Sequence, residues 1–395
     1  MPWRETCPMR ERRQLVALYE TGRYTVTEVA RYFGVSRKTA HKWLNRYAAA
    51  GDEGLQDHSR APHTHPNATP DTVAAEIIRA KVNHPTWGPL KLSPGPDVQV
   101  DVAAAWPAPS TRGAVLARAG LTKPRRRQRR VVPFTLPFAA CDRPNAVWCA
   151  DFKGWFRTGD GQRCDPLTIT DAWSRLLLCC RGLHGTGYHN VRPFFERTFR
   201  EYGLPDAIRT DNGPPFASLG VGGLSPLSVW WIKLGILPER IQPGHPEQNG
   251  RHERFHETLK LECLRPPAAT LAAQQTCFDD FQLRYNTERP HQALGQQPPT
   301  RCYAPSPRPY PAPASNLSYP DTPDIRRVRS NGQVKWRGEL IFVSEALKGE
   351  AIAIREDDHG WIAFFGPILL GRLDPVKASI QRPAAMLHPV TYVPS

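Results

Sequence analysis

Three acids in this chain are of the type and setting for metal-assisted chemistry. Asp151 sits in the apolar, aromatic run "WCADFKGWF", where a charge opposes strand formation unless something compensates it. Asp211 follows "AIRT" and precedes Asn212–Gly213, at a strand's end where a turn exposes its oxygens. A third carboxylate comes from "QPGHPEQNGRHERFHETLKLEC", which reads as one helix holding Glu247, Glu253 and Glu257. At about 100° per residue, Asn249, His256, Glu257 and Lys260 fall within about 60° of Glu253 and form a polar face. Phe255, Leu259 and Cys263 turn to the far side, toward a sheet. Glu247 lies about 120° away, in the first turn after Pro246, where the helix dipole explains an acid. Glu257 shares the face, but Lys260 offers it an ordinary surface pair. Phase therefore sets Glu247 aside and leaves Glu253 only slightly ahead of Glu257.

Taken singly, Asp211 reads as a turn-capping residue and Asp151 as a hydrogen-bonded structural one. Taken together, converging carboxylates repel one another unless cations are present. Hard oxygen ligands with open positions select Mg²⁺ or Mn²⁺. Two such ions can activate a water or hydroxyl and stabilise both oxygens of an in-line phosphoryl displacement.

The rest of the chain favours a polyanionic substrate. Among its 395 residues, Lys and Arg number 52 against 37 Asp and Glu, a net charge of +15. Residues 1–130 hold 22 basic and 11 acidic side chains, so most of the excess lies in the first third. Nucleic acid is the commonest partner of such a surface; a merely soluble basic surface is the plainer alternative. The nine cysteines form no CxxC pair, which argues against a zinc knuckle or redox motif. Adjacent Cys179 and Cys180 read as small core residues. With no apolar run approaching a membrane span and no signal segment, a cytoplasmic protein without membrane contact is expected.

Four pieces must position this chemistry. Residues 1–58 carry helices broken at Gly34, after which Ser36 caps a basic helix with Arg37, Lys38, His41, Lys42, Trp43 and Arg46. This is the pattern of a helix-turn-helix. Ser36, Arg37, Lys38 and His41 would face the major groove, with Lys42 and Arg46 nearby, while Val35, Ala40, Trp43 and Leu44 pack inward. A helical hairpin with a solvated basic face is the alternative. Residues 71–130 form a second helical unit, with helices in "DTVAAEIIRAKVNH" and from Ser110 to Ala119. It ends in "KPRRRQRR", where Arg125, Arg126, Arg127, Arg129 and Arg130 can neutralise phosphates without reading sequence. A solvated linker is the alternative there. Residues 140–300 alternate strands ("AVWCADFKGWF", "PLTITDAWS", "RLLLCCRGL", "DAIRTDN", "ERIQP") with helices Tyr188–Tyr202, Ser225–Leu234, Pro246–Cys263 and Thr270–Asn286. That order implies a mixed sheet with flanking helices. Residues 320–382 read as short strands with turns at Asn331–Gly332 and Asp358–His359–Gly360, a small β-barrel.

The combination "WCADFKGWF … PLTITDAWSR … RTDNGPPF … GHPEQNGRHERFHETLK … YNTERPHQALGQQPP" resembles the insertion-sequence transposases with a retroviral-integrase-type core. The matching motifs span roughly residues 20–380. In that family the last acid lies three residues after an Asn-Gly or Gln-Gly pair, which selects Glu253. The resemblance implies a ribonuclease-H-like core with Asp151 on the first strand, Asp211 after the fourth and Glu253 on a helix. It further implies two Mg²⁺ (or Mn²⁺) ions, bridged by Asp151 and held singly by Asp211 and Glu253. The implied activity is nicking of double-stranded DNA at the terminal inverted repeats by water, then attack of the freed 3′-hydroxyl on target DNA. A dimer or larger assembly on bacterial nucleoid DNA follows, because two element ends must be joined. Asn249, His256 and Lys260 would neighbour DNA phosphates, and Asp171 is structural.

One stretch departs from the family pattern. After "HPTWGPLKL" a continuous helix is expected, but "SPGPDVQVDVAAAWPAPST" places Pro94 and Pro96 there. This leaves a competing reading, a catalytically silent DNA-binding protein derived from a transposase. A plain ribonuclease-H-like nuclease would not need two N-terminal DNA-binding units.

Overall fold

The computed structural model describes residues 7–58, 68–94, 101, 106–122, 141–218, 220–241, 250–311, 317–319, 324–374 and 376–381. Two compact units emerge, divided after Thr69.

The first unit holds three helices, α1 (Pro8–Glu20), α2 (Val26–Tyr32) and α3 (Arg37–Ala50). Thr25 and Glu28 form a capping box at the start of α2, reciprocally satisfying two helix-end donors. Gly34 takes φ +63° in the turn before α3, a conformation that costs glycine little. The Ser36 side chain then accepts the Thr39 N–H as the N-cap of α3. Leu15, Val29, Ala30 and Ala40 bury together, as do Val16, Trp43 and Leu55.

The second unit begins with α4 (Asp71–Asn83) and α5 (Pro109–Arg118), close to the sequence expectation. Val73, Ile77, Trp87, Leu92, Val115 and Leu116 form their shared core. Pro94 is half-buried after α4, but Pro96, most of the expected helical break, and the basic run Arg125, Arg126, Arg127, Arg129 and Arg130 lie outside the described residues. This helical pair rests on the later helices through Thr86, whose hydroxyl donates to Glu262 at 2.5 Å, while Arg289 reaches the same carboxylate at 2.9 Å.

Next comes a mixed sheet of β1 (Val147–Phe152), β2 (Phe156–Arg157), β3 (Arg163–Asp171), β4 (Leu177–Leu183), β5 (Ala207–Thr210) and β6 (Leu237–Arg240). The order is β2-β3-β1-β5-β6, with β4 also on β3. β1 runs antiparallel to β3 and parallel to β5, and β5 parallel to β6. The single expected strand "AVWCADFKGWF" is in fact two, split at Gly154 with φ +86°. Helices α6 (Tyr188–Tyr202) and α7 (Pro226–Lys233) cover one face through Trp148, Leu167, Ile169, Phe195 and Trp231. Helices α8 (Gly250–Cys263) and α9 (Leu271–Thr287) cover the other through Cys164, Cys180, Phe255, Leu259 and Phe281. This is the mixed sheet with flanking helices expected from the strand and helix order, in the ribonuclease-H-like arrangement that the family resemblance implies.

The chain ends in a seven-stranded sheet of β7 (Asp324–Arg327), β8 (Gln333–Trp336), β9 (Glu339–Phe342), β10 (Ala351–Asp357), β11 (Gly360–Phe365), β12 (Ile368–Asp374) and β13 (Ser379–Gln381). Its order is β7-β10-β11-β12-β13-β9-β8. The Trp336 indole N–H donates to Asp324 at 3.0 Å across the two edge strands, so the sheet curls into a nearly closed barrel. Residues 333–342 and 360–374 each fold as a two-stranded hairpin, because Arg337–Gly338 and Gly366 supply the positive φ of tight turns.

Candidate active site

Asp151 lies near the end of β1, opposite Thr168 in the antiparallel register with β3. On its other side β1 pairs in parallel with β5, Val147 with Ala207 and Cys149 with Arg209. Asp211 directly follows β5, and that register carried two residues beyond Cys149 and Arg209 would bring it level with Asp151. Both carboxylates are half-buried. The Gly213 N–H donates to Asp211 at 3.2 Å, fixing the turn that follows β5. Burial pushes the Asp211 carboxyl above the usual carboxylate range, an effect the Gly213 hydrogen bond only partly offsets.

Helix α8 lies over this end of the sheet. Phe255, Leu259 and Cys263 are buried, as their phase predicts, and Glu253 and Glu257 are exposed. His256 departs from the expectation: it is 7% exposed rather than part of the outer polar face, and His252 beside it is 3% exposed. The inward arc is thus 252, 255, 256, 259 and 263, wider than the one drawn from apolar residues alone. Measured from the centre of that arc, Glu253 lies about 40° nearer the sheet than Glu257. Lys260 is half-exposed on the same flank. Asn249 and Glu247 lie outside the described residues.

The histidines turn inward because Thr168 receives them. Nε2 of His252 and of His256 lie 2.8 and 2.9 Å from the Thr168 hydroxyl oxygen, which itself donates to the Asp151 carbonyl at 3.0 Å. One hydroxyl has one proton and two lone pairs. All three contacts are satisfied only if both imidazoles donate from Nε2. Burial holds both rings neutral, pushing His252 down to about 3 and His256 to about 2, the latter helped by His252 and Lys153. Among the described residues, Asp151, His252 and His256 are the trio whose metal-ligating atoms all lie within 4.8 Å of one another. Asp211 and Glu253 are not part of that tight group. Sequence reasoning misses His252 and Thr168, although histidines at i and i+4 share a helix face.

The other expected residues fall as follows. Ser36, Arg37, Lys38, His41 and Lys42 are exposed along the start of α3, while Ala40 and Trp43 are buried. Arg46 is half-buried and stacks on Trp43, joined there by Lys42 and by Arg12 at 3.8 Å from the ring centroid. Asp171 is fully buried, accepting the Asn145 N–H at 2.8 Å and the Ser174 N–H and hydroxyl at 2.6 Å, as a structural residue should. Among the described residues, no helix is long and apolar enough to cross a membrane.

Comparison with known proteins agrees with this architecture. Residues 142–246 and 234–299 match integrase core domain families, and residues 8–56 and 39–95 match homeodomain-like domains. An uncharacterized 31.7 kDa protein of insertion element IS407 from Burkholderia multivorans is 33% identical over 46% of this chain and 64% of its own length. A 39.2 kDa protein of insertion element IS476 from Xanthomonas euvesicatoria is 31% identical over 45% of this chain and 49% of its own. The chain thus spans between about half and two thirds of the curated relatives it matches. Among solved structures, the HTLV-2 integrase catalytic core domain in complex with magnesium shares 16% identity, covering 41% of this chain and 99% of that one, with a TM-score of 0.31. Homeodomain-like domains ahead of an integrase core domain are thus the parts that the families match, and over part of its length the chain is similar to the proteins of insertion elements IS407 and IS476.

Proposed function

We propose that this chain binds the terminal inverted repeats of its insertion sequence, cuts a strand at each end and joins the freed end to target DNA. One observation supports the reading: β1, which bears Asp151, pairs in parallel with β5, which Asp211 follows, and the helix that bears Glu253 reaches Thr168, the β3 partner of Asp151, through His252 and His256. The residues fit a hard divalent cation. A half-buried Asp211 carboxyl with its proton affinity raised by burial is a group in want of a counter-charge. The neutral histidine pair adds no positive charge that would compete. Asp151, Asp211 and Glu253 would hold Mg²⁺ or Mn²⁺, in two ions per site. Such ions polarise a phosphoryl oxygen and lower the pKa of an attacking water or hydroxyl.

The chain's own contribution is positioning. In cutting, water attacks the phosphodiester and a 3′-hydroxyl leaves; in joining, that hydroxyl attacks a target phosphodiester. Each step makes one P–O bond as it breaks another. The exposed face of α3, with Ser36, Arg37, Lys38, His41 and Lys42, would enter a major groove. Arg46, the basic run Arg125, Arg126, Arg127, Arg129 and Arg130, and Asn249 and Lys260 would meet phosphates. His256, buried against Thr168, is better read as support for α8 than as a DNA contact. The working pieces are residues 1–58, 71–130, 140–300 and 320–382, acting as a dimer or larger on nucleoid DNA.

Labelled duplexes taken from the DNA flanking the gene test this, incubated with Mg²⁺ or Mn²⁺ and wild type, Glu253→Gln or Glu247→Gln protein. Joined products that vanish with Glu253→Gln and survive Glu247→Gln support the reading and the choice of glutamate. Binding without any cutting or joining would replace it with the silent DNA-binding protein.

A further inference from the structure

The hairpin that follows Asp151 displays a feature the cutting chemistry does not use. Trp155 is 57% exposed, and it is the one tryptophan among the described residues that stands out in solvent. A lone exposed apolar side chain is ordinary; this one is built in. Arg157 and Arg163 place their guanidinium carbons 5.9 and 5.3 Å from its ring centroid. Both arginines are themselves tethered. Arg157 donates to the Gly161 carbonyl at 2.7 Å, a neutral acceptor that leaves its charge in place. Arg163 grips Asp165 through two bonds of 2.8 Å.

The backbone beneath is fixed as well. The Lys153 N–H donates to the Pro166 carbonyl at 3.0 Å, and Gly159 and Asp160 donate to Ala268 and Ala269 at 2.9 and 2.8 Å. The two sides of the hairpin pair through Phe156 with Cys164 and Arg157 with Arg163. An indole held rigid in water loses little further entropy when a flat partner stacks on it. Arg157 offers charge for a phosphate beside that partner, while Arg163, neutralised by Asp165, props the ring. A nucleobase with its phosphate has that shape and charge. Inside a duplex, base faces are already stacked, so the partner must be unpaired.

We propose that Trp155, flanked by Arg157 and Arg163 in the hairpin that follows Asp151, is a stacking platform for an unpaired DNA base. The inference rests on the reading of this site as one that processes DNA strands.

The test uses the full chain in EDTA, so that no strand is cut. Affinity is measured for a blunt duplex and for the same duplex ending in a short unpaired thymine tail. Wild type should prefer the tailed form by about 10-fold, within the range of base–aromatic stacking. Trp155→Ala should lose that preference while binding the blunt duplex unchanged, and Trp155→Phe should keep part of it. An iodouracil in the tail should crosslink to residue 155 in wild type. If Trp155→Ala keeps the full preference, or wild type shows none while binding both duplexes, the platform is wrong and the DNA reading stands. If wild type binds neither DNA, both fall together.

Discussion

The Thr168 hydroxyl lies 2.9 Å from Nε2 of His256, and the same oxygen is 2.8 Å from Nε2 of His252. Through its own proton it holds the Asp151 carbonyl at 3.0 Å. One side chain therefore ties the strand that carries one candidate catalytic acid to the helix that carries another. Removing the hydroxyl would orphan two buried N–H groups, and each buried unsatisfied group costs about 1–3 kcal/mol. The Asp151 carbonyl stays paired with Thr168 in the β1–β3 ladder.

Thr168→Val should accordingly destabilise the chain by about 2–4 kcal/mol, although it preserves shape. Thr168→Ser, which keeps the oxygen, should stay within about 1 kcal/mol of wild type. Urea unfolding of the three proteins measures this. Equal midpoints for Thr168→Val and Thr168→Ser would mean that the three hydrogen bonds contribute nothing to stability.

The same histidines predict an acid-side loss of stability. In the folded chain they stay neutral to about 3 and about 2, whereas in the unfolded chain they take up protons near pH 6.5. Below that pH the unfolded state binds more protons, so their stabilisation is complete above about pH 6.5 and drains away as pH falls. Each group adds at most about 1.4 kcal/mol per pH unit to the slope. His291, pushed to about 3 by burial, adds to the same slope. Replacing His256 by Gln should therefore shrink the difference in urea midpoint between pH 7.5 and pH 5, measured in EDTA, even if it lowers both midpoints. An unchanged difference would show that His256 is protonated in the folded chain.

Much of this architecture is legible in the sequence, and the misses have physical causes. Ser36, Gly34 and the spacing around Trp43 announce the helix-turn-helix because caps and turns are local chemistry. The ends of α6 are readable to the residue, with Gly187 and Gly203 flanking the helix. The inward turn of His256 is not, because an imidazole is polar by type and only its partner, 88 residues away in sequence, explains its burial. The split of β1 from β2 is hidden for a similar reason: "DFKGWF" alternates well enough for a strand, and only the backbone at Gly154 ends it. The choice of Glu253 needs the family resemblance. Phase separates it from Glu257 by the same 40° or so whether the inward arc is drawn from the apolar residues alone or with the histidines included.

DNA binding by the first unit should obey a salt law. Arg37 and Lys38 are exposed at the start of α3 and bear no part of the core. Arg37→Ala and Lys38→Ala should leave folding intact, and each should reduce the slope of log affinity against log salt by about 0.9 for every phosphate no longer neutralised. Trp43→Ala should instead unfold the unit, since truncating a buried aromatic costs about 3–5 kcal/mol. Filter binding across a salt series, with circular dichroism as the folding check, distinguishes the two behaviours. Slopes unchanged in both exposed variants would move the DNA-binding surface off this helix.

Asp211 should show stability and activity pulling in opposite directions. Its carboxylate is half-buried with its proton affinity raised by desolvation, so in metal-free protein the charge opposes folding rather than supporting it. Asp211→Asn removes that charge at nearly constant shape. The amide oxygen can keep the hydrogen bond that Gly213 donates to Oδ1. The variant should therefore melt at the same temperature as wild type or higher, while losing strand joining altogether, the pattern of a site that trades stability for function. Adding Mg²⁺ should raise the melting temperature of wild type and leave Asp211→Asn where it was, because a ligand that binds only the folded state stabilises it in proportion to its affinity. A variant that melts well below wild type without metal would make Asp211 a structural turn residue, and the second metal-holding carboxylate would have to be sought elsewhere in the chain.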